Sequence, residues 1–335
     1  MKRWAMALAL AFVGCSHSTG IAPSGSGDLE NNPNDADQAL DAAPTPDAAT
    51  PTWHPQTSSA PASLRGVWGS SASDVYVVGQ QGTILHSTGD GRWTAQTSGT
   101  THDLYAVWGS GPQDIYAVGD ALLHSTGDGT WQIQTGPSGL MGVWGSTSKD
   151  VYVAGVFGIS HSTGDGQWTA ENQAEPWGGY FHVRGSSAGD VYTVGGLINL
   201  SNPSAPGCGV ATLSNGNWTW TQLSLGDEMK DIVFTSRGAF IVGLSGQIWA
   251  RSGTSGTWTQ QTSPTAGDIQ AVWADSDGEL YALGQTDSSV LISSGDGNWT
   301  VQASLAAFDL WGIWGSGPQD IYIVGDAGKI IHFGM

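Results

Sequence analysis

Seven copies of a short motif run through the chain at a spacing of about forty residues. Four copies read GVWGS, AVWGS, GVWGS and GIWGS, and three weaker copies read HVRGS, IVFTS and AVWAD. The central residues of the seven copies are Trp68, Trp108, Trp144, Arg184, Phe234, Trp273 and Trp314. Self-similarity at this period indicates a repeat architecture, in which each unit buries its apolar surface against its neighbours.

Each repeat contains four segments that have the character of β-strands. The motif is followed by a segment such as DVYVVG, then by one such as TILHS, and then by one that begins with Trp, such as WTAQTS. β-branched and aromatic residues are frequent in these segments, and Gly, Ser, Asp or Pro bound them. Four strands in each of seven repeats predict an all-β, seven-bladed β-propeller with four-stranded blades.

The last repeat lacks its fourth strand, because the chain stops soon after the third strand at 329–333. A segment with the form of a Trp-led fourth strand, TWHPQTS, lies at 52–58, before the first repeat. We predict that this segment joins the last blade, so that residues 52–335 form a closed ring without a half-built edge.

The N-terminus has the pattern of a processing signal. Lys2 and Arg3 precede an apolar run over 4–13 that is too short to span a bilayer as a helix. The run ends in FVGC, which resembles the bacterial lipobox and implies a signal peptide over 1–14 with lipid on Cys15. The alternative is an ordinary secretory signal that is cut nearby.

The segment 15–51 is rich in Ser, Gly, Asp, Asn, Ala and Pro, which predicts a disordered tether. Tether and lipobox together predict a protein that is lipid-anchored in the bacterial cell envelope. We place it at the outer membrane, on the periplasmic face or at the cell surface.

The composition excludes some partners. The chain has 10 Lys and Arg against 29 Asp and Glu, a formal net charge of −19. This balance disfavours nucleic acid and anionic lipid surfaces, since both need clustered cations. We therefore expect membrane contact only through the lipid on Cys15. If Cys15 carries lipid, Cys208 has no partner for a disulfide, so stability must come from packing.

A polar string, HSTGDGRW at 86–93, recurs between the third and fourth strands of several repeats. Its aspartates are Asp90, Asp128, Asp165 and Asp296. The string resembles the Asp-box of sialidase-like and BNR-repeat propellers, although its Asp sits one place late and its Trp one place early. The resemblance and the chemistry of Asp and Gly both indicate a structural turn. Because these residues are spread around a ring, we predict no catalytic, metal or cofactor site in them.

Departures from the repeat are the candidate functional positions. The residue before each motif varies although its flanks repeat, and we expect these residues at the mouth of the central channel on the top face. They are Arg65, Tyr105, Met141, Phe181, Asp231, Gln270 and Trp311. The fourth repeat adds a long insertion at 196–213 and an aromatic entry loop with Trp177 and Tyr180. Aromatic side chains beside polar loops suit a protein or glycan ligand. Alternatively, the ring residues only plug the channel and the loop packs on itself.

Three functions follow from these features. Residues 52–335 resemble BNR-type lipoprotein propellers and the propellers that assist photosystem II assembly, which implies a non-enzymatic module that binds an envelope protein or a surface glycan. A sialidase-like glycoside hydrolase is the first alternative, but its three-arginine set cannot be assembled because only Arg65 is expected at the mouth. A purely structural envelope spacer is the second.

Overall fold

The computed structural model describes residues 51–171, 179–187, 190–196, 207–225, 228–253, 256–305 and 308–335. The predicted signal peptide, the tether as far as residue 50, and Trp177 lie outside these residues. Within the described ranges, no helix is long and apolar enough to cross a membrane.

The described backbone forms seven four-stranded antiparallel sheets, which are the blades of the propeller. The first strand of the chain is the closing strand, β1 (Thr52–Gln56). Blade one contains β2 (Leu64–Ser71), β3 (Asp74–Gly79), β4 (Ile84–Ser87) and β5 (Thr94–Gln96), and blade two contains β6 (Leu104–Gly111), β7 (Asp114–Gly119), β8 (Leu122–Ser125) and β9 (Gln132–Ile133). Blade three contains β10 (Leu140–Thr147), β11 (Asp150–Gly155), β12 (Gly158–Ser162) and β13 (Thr169–Ala170), and blade four contains β14 (Gly179–Ser187), β15 (Asp190–Gly196), β16 (Gly207–Ser214) and β17 (Asn217–Leu225).

The remaining strands complete the ring. They are β18 (Met229–Thr235), β19 (Gly238–Gly243), β20 (Ile248–Ser252) and β21 (Thr259–Gln260) in blade five; β22 (Ile269–Ala274), β23 (Leu280–Gly284), β24 (Ser289–Ser293) and β25 (Thr300–Ser304) in blade six; and β26 (Leu310–Gly317), β27 (Asp320–Gly325) and β28 (Ile330–Gly334) in blade seven. Short 3₁₀ turns at Gln80–Gly82, Leu244–Gly246 and Asp326–Gly328 join the second and third strands of blades one, five and seven. The predicted seven-bladed β-propeller is confirmed.

The ring closes through β1, which pairs antiparallel with β28 and forms the outer strand of blade seven. Trp53 lies opposite Phe333 in this ladder, and their ring centroids are 4.9 Å apart. The segment before the first repeat thus completes the last blade, as the sequence predicts. Closure of this kind covers the outer side of β28, which would otherwise be an exposed edge of blade seven.

Neighbouring blades interlock through a Trp on one inner strand and a Gly on the next. The ring of Trp108 lies over Gly145, where an added Cβ would be 2.6 Å from the indole. Five junctions repeat this contact: Trp68–Gly109, Trp108–Gly145, Trp144–Gly185, Trp273–Gly315 and Trp314–Gly69. Gly is required at these sites because the indole of the neighbouring blade and a backbone carbonyl of the same blade both occupy the space of a side chain.

The two other junctions replace both partners. Val233 pairs with Phe240 in blade five as Trp68 pairs with Tyr76 in blade one, so Val233 occupies the position of the motif's Trp. The repeat alignment that placed Phe234 there is wrong by one residue. Its cause is a β-bulge that blade one has near the end of its first hairpin and blade five lacks. Val233 packs in one apolar cluster with Ala274, which occupies the Gly position of blade six.

Candidate functional site

The Asp-box-like turns are held by local hydrogen bonds. The Oδ1 atom of Asp90 accepts a hydrogen bond from the backbone N–H of Arg92 at 3.0 Å. The equivalent bonds in the other turns are made by Asp128, Asp165 and Asp296, at 2.9 Å each. Gly89 and Gly91 adopt positive φ beside Asp90. Each carboxylate therefore serves its own turn, at separate points around the ring.

Ser, Asp and His side chains meet in four blades, but not in a catalytic order. In blade one, the Oδ1 atom of Asp74 lies 2.8 Å from His86 Nε2, and its Oδ2 accepts a hydrogen bond from Ser70. The same three residue types meet in blades two, three and seven. Because the carboxylate lies between the hydroxyl and the imidazole, the imidazole cannot take the proton of the Ser. These clusters bind strands of one blade together.

Seven side chains line the mouth of the central channel, and a β-bulge exposes each of them. The first inner-strand ladder of every blade skips one residue, for example between Leu64 and Gly66, which turns the skipped side chain out of the sheet. The skipped residues are Arg65, Tyr105, Met141, Phe181, Lys230, Gln270 and Trp311. Together with His182 they line a depression of about 260 Å³.

The ring residue of blade five is Lys230, and the prediction of Asp231 at this position is wrong. The sequence alignment was anchored on Phe234 and was therefore displaced by one residue. Lys230 lies with its Nζ 3.9 Å from the ring centroid of Phe181 and 2.6 Å from Glu228 Oε2. Its ammonium group thus touches both an aromatic face and a carboxylate.

A second cation–π pair lies across blades seven and one. The guanidinium carbon of Arg65 is 3.6 Å from the ring centroid of Trp311, and the indole Nε1 of Trp311 donates to Asp326 Oδ1 at 2.7 Å. The Nε atom of Arg65 is buried and has no hydrogen-bond partner among the described residues. Burial lowers the pKa of Arg65, although nearby carboxylates, Asp326 first among them, act in the opposite direction.

Asp231 lies one layer below the mouth, buried in the channel wall. Its Oδ1 is 3.0 Å from His182 Nδ1 and 4.0 Å from Arg184 Nε, and its Oδ2 accepts a hydrogen bond from the backbone N–H of Val272 at 3.0 Å. Burial alone would raise the pKa of Asp231, but the contacts with His182, Arg184 and Val272 outweigh burial and lower it. Both carboxylate oxygens are engaged within the wall.

The contact of Asp231 with His182 was not predicted from the sequence, although the repeat contains a signal for it. The other five blades carry only Gly or Ala in the same layer: Gly66, Ala106, Gly142, Ala271 and Gly312. An added Cβ at Gly66 would be 3.0 Å from the backbone of Ala106 in the next blade, so the layer is tight. Only blades four and five replace the small residue, with His182 and Asp231, and these two replacements contact one another.

Of the remaining residues predicted to bind a ligand, two line the mouth and one lies in the core. Tyr105 and Gln270 line the mouth. Burial raises the pKa of Tyr105, and the nearby Asp120 and Asp103 raise it further. Tyr180 is 2% exposed and packs in the core beside Trp220, so its prediction as a ligand contact is wrong. It precedes the bulge and points inward, while Phe181 at the bulge faces the mouth.

No metal centre is evident among the residues that the structure describes. In these ranges, no three His, Cys, Asp or Glu side chains converge as a possible ligand set. The mouth itself is lined by cationic, aromatic and amide groups together with the thioether of Met141 and the imidazole of His182.

Comparison with solved structures identifies other propellers. YCF48 bound to D1 peptide is 17% identical with a TM-score of 0.68, over 84% of this chain and 97% of that one. An inactive variant of virginiamycin B lyase from Staphylococcus aureus, with quinupristin, is 14% identical with a TM-score of 0.70, over 85% and 99% of the two chains. The WD40 propeller domain of Doa1 is 14% identical with a TM-score of 0.66, over 84% and 95%.

These likenesses show a shared β-propeller fold. No protein-family model matches the sequence, and no curated protein matches it either.

Proposed function

We propose that this chain is a non-enzymatic binding module that captures a segment of a partner protein at the mouth of its channel. The observation that carries this proposal is the ring of seven bulged positions. The residues around them repeat from blade to blade, whereas the bulged side chains differ and surround one open depression. Repeated residues maintain the fold, and departures from the repeat are where function is expected. The YCF48 propeller, which has been solved with a peptide, supports a peptide-type ligand.

The contacts at the mouth favour a protein ligand over a glycan. Sugar binding commonly uses the open face of an aromatic ring. Here the guanidinium of Arg65 covers one face of Trp311, and the ammonium of Lys230 covers one face of Phe181. Aromatic and Arg side chains are also the residues that contribute most to protein interfaces.

The residues that line the mouth support neither the glycoside hydrolase nor the structural spacer. Glycoside hydrolysis in most families needs two carboxyl groups that flank the scissile bond. Among the described residues that line the mouth there is no Asp or Glu, and both oxygens of Asp231 are engaged in the wall. A structural spacer needs no open depression, yet one of about 260 Å³ is present.

We further propose that the propeller acts in the bacterial cell envelope, anchored by lipid on Cys15 and carried on the segment that follows it. This rests on the resemblance of FVGC to the lipobox and on the composition of 15–51. The chain would then act as an adaptor or assembly factor at the outer membrane.

Site-specific crosslinking tests the binding proposal. A photo-crosslinking amino acid at Gln270 in the full chain should trap an envelope protein, whereas the same group at Thr94, on an outer strand, should not. Trp311→Ala should abolish the adduct and leave the melting temperature within about 2–4 °C of the native value, since Trp311 is only half-buried.

Arg92→Ala, in an Asp-box-like turn, is the matched control and should leave the adduct intact. A glycan-array signal that Trp311→Ala removes, without any protein adduct, would contradict the proposal.

A further inference from the structure

The outer strand of blade four is unusually long. Strand β17 has nine residues, whereas the other outer strands have between two and five. Outer strands are the edges of the blades, and natural proteins keep exposed edges short to prevent other strands from pairing with them. Blade four departs from this rule.

A different turn causes the extra length. In blades one, two, three, five and six an Asp-box-like loop or a longer connection precedes the outer strand, but in blade four only Asn215 and Gly216 do. Both have positive φ, at 50° and 75°, as a two-residue type I′ hairpin requires. The ladder with β16 then continues from Ser214–Asn217 to Gly207–Leu225, with one bulge.

The outer side of β17 lacks the charged residues and prolines that commonly protect an edge strand. The sequence NWTWTQLSL contains no charged residue and no Pro, although the whole chain has a net charge of −19. Trp218 and Trp220 pack inward, while Thr219 and Thr221 are exposed. Among the described strands, β17 pairs only with β16, so its outer side is an edge of the sheet.

We infer that β17 binds an extended, uncharged segment of a partner protein, which adds to blade four as a fifth strand. The backbone groups of the edge would supply the hydrogen bonds, and Thr219 and Thr221 would favour β-branched neighbours across the new pair. This site is separate from the mouth and does not depend on the function proposed for the mouth.

The occupant is a peptide segment rather than a second copy of the chain. Pairing of two nine-residue edges would bury much less than the roughly 1,200 Å² that a stable interface between folded proteins needs. Two chains of charge −19 would also repel one another. An extended peptide avoids both difficulties, since backbone hydrogen bonds provide most of its binding energy.

A model peptide tests the inference. The probe is acetyl-STVTVTS-amide, and its counterpart carries an N-methyl group on every Thr and Val, which removes these N–H donors from both edges of the peptide. Added to the full chain with Cys15→Ser, the probe should slow amide hydrogen exchange in β17 but not in β5 or β21. The N-methylated peptide should leave exchange unchanged.

Substitutions on β17 test whether the probe binds at this edge. Thr219→Lys and Thr221→Lys should weaken probe binding by roughly tenfold or more, because charged side chains guard an edge strand. Thr94→Lys and Thr259→Lys are matched controls at the equivalent place on two short outer strands. These controls should leave the affinity unchanged.

Three results would overturn the inference: no protection of β17 at a probe concentration of about 1 mM, equal binding of the N-methylated peptide, or equal loss in the control variants. A dimer in sedimentation that Thr221→Lys dissociates would also overturn it, because the occupant would then be a second copy.

Discussion

At the scale of single residues, Asp231 is the buried carboxylate in the described part of the chain, and its charge is kept by its neighbours. His182, Arg184 and the backbone of Val272 surround it. A buried charge is costly unless it is paired and hydrogen-bonded, so these contacts act as a set. The set ties the inner strands of blades four, five and six together just below the mouth.

We therefore predict that Asp231→Asn destabilises the propeller by about 1–3 kcal/mol, because His182 loses a buried carboxylate partner and Arg184 loses its counter-charge. Urea unfolding at neutral pH measures this difference. Asp90→Asn, in an exposed turn, should change stability by less than about 1 kcal/mol. An equally small change for Asp231→Asn would show that the buried group contributes little.

The same carboxylate predicts a pH dependence. Because the pKa of Asp231 is lowered in the fold, its stabilising effect is complete above the ordinary Asp pKa of about 4 and is lost as the pH falls through the lower native value. The difference in unfolding free energy between the native chain and Asp231→Asn should therefore shrink below about pH 4.

At the scale of strands, the junction between blades is a matched pair rather than two independent residues. Five junctions use a Trp over a Gly, and the junction from blade five to blade six uses Val233 with Ala274. The protein thus contains two solutions to the same packing problem. A large ring needs a partner without a side chain, and a smaller aliphatic residue leaves room for a methyl group.

This pairing predicts coupled mutational effects at the Trp108–Gly145 junction. Gly145→Ala alone should cost about 1–3 kcal/mol through overpacking, and Trp108→Val alone should cost about 3 kcal/mol or more through a cavity. The double variant relieves the contact with the indole but not the 2.6 Å contact with the backbone O of Asp150, so its cost should fall below the sum by at least about 0.5 kcal/mol. Additive costs in urea unfolding would contradict this.

At the scale of the whole molecule, the sequence predicts the ring well because each blade obeys the same local rules. Strand segments, turns and the closing role of residues 52–58 follow from the repeat alone. The mouth was predicted in outline, because a variable residue between constant flanks marks each bulge. Lys230 was missed because blade five lacks the second bulge. Tyr180 was wrongly predicted at the site because it precedes the bulge and points inward.

The contact between His182 and Asp231 could not be predicted from the sequence, for a different reason. The two residues are far apart in the chain, and only the ring brings blades four and five side by side. Their shared layer could have been noticed, because Gly or Ala fills it in the other blades. The hydrogen-bonded geometry, however, depends on how closely the inner strands approach.

Closure of the ring predicts a large effect of a small deletion. A chain that starts at residue 58 lacks β1, so Phe333 loses Trp53 and the indole of Trp93 loses its 2.7 Å hydrogen bond to Gln56. We expect a loss of more than about 3 kcal/mol in the free energy of unfolding. A chain that starts at residue 51 keeps β1 and is the control. Equal melting temperatures for the two chains would contradict the closing role of β1.

The β1–β28 ladder has a consequence for circular permutation. Thr52 and Gly334 lie opposite each other at its end, so a turn of a few residues could join them as an ordinary hairpin. The chain could then be opened elsewhere, for instance in the connection between β5 and β6. In such a permuted protein, blade seven would be built from consecutive residues, and translation could start at a different blade without changing the ring.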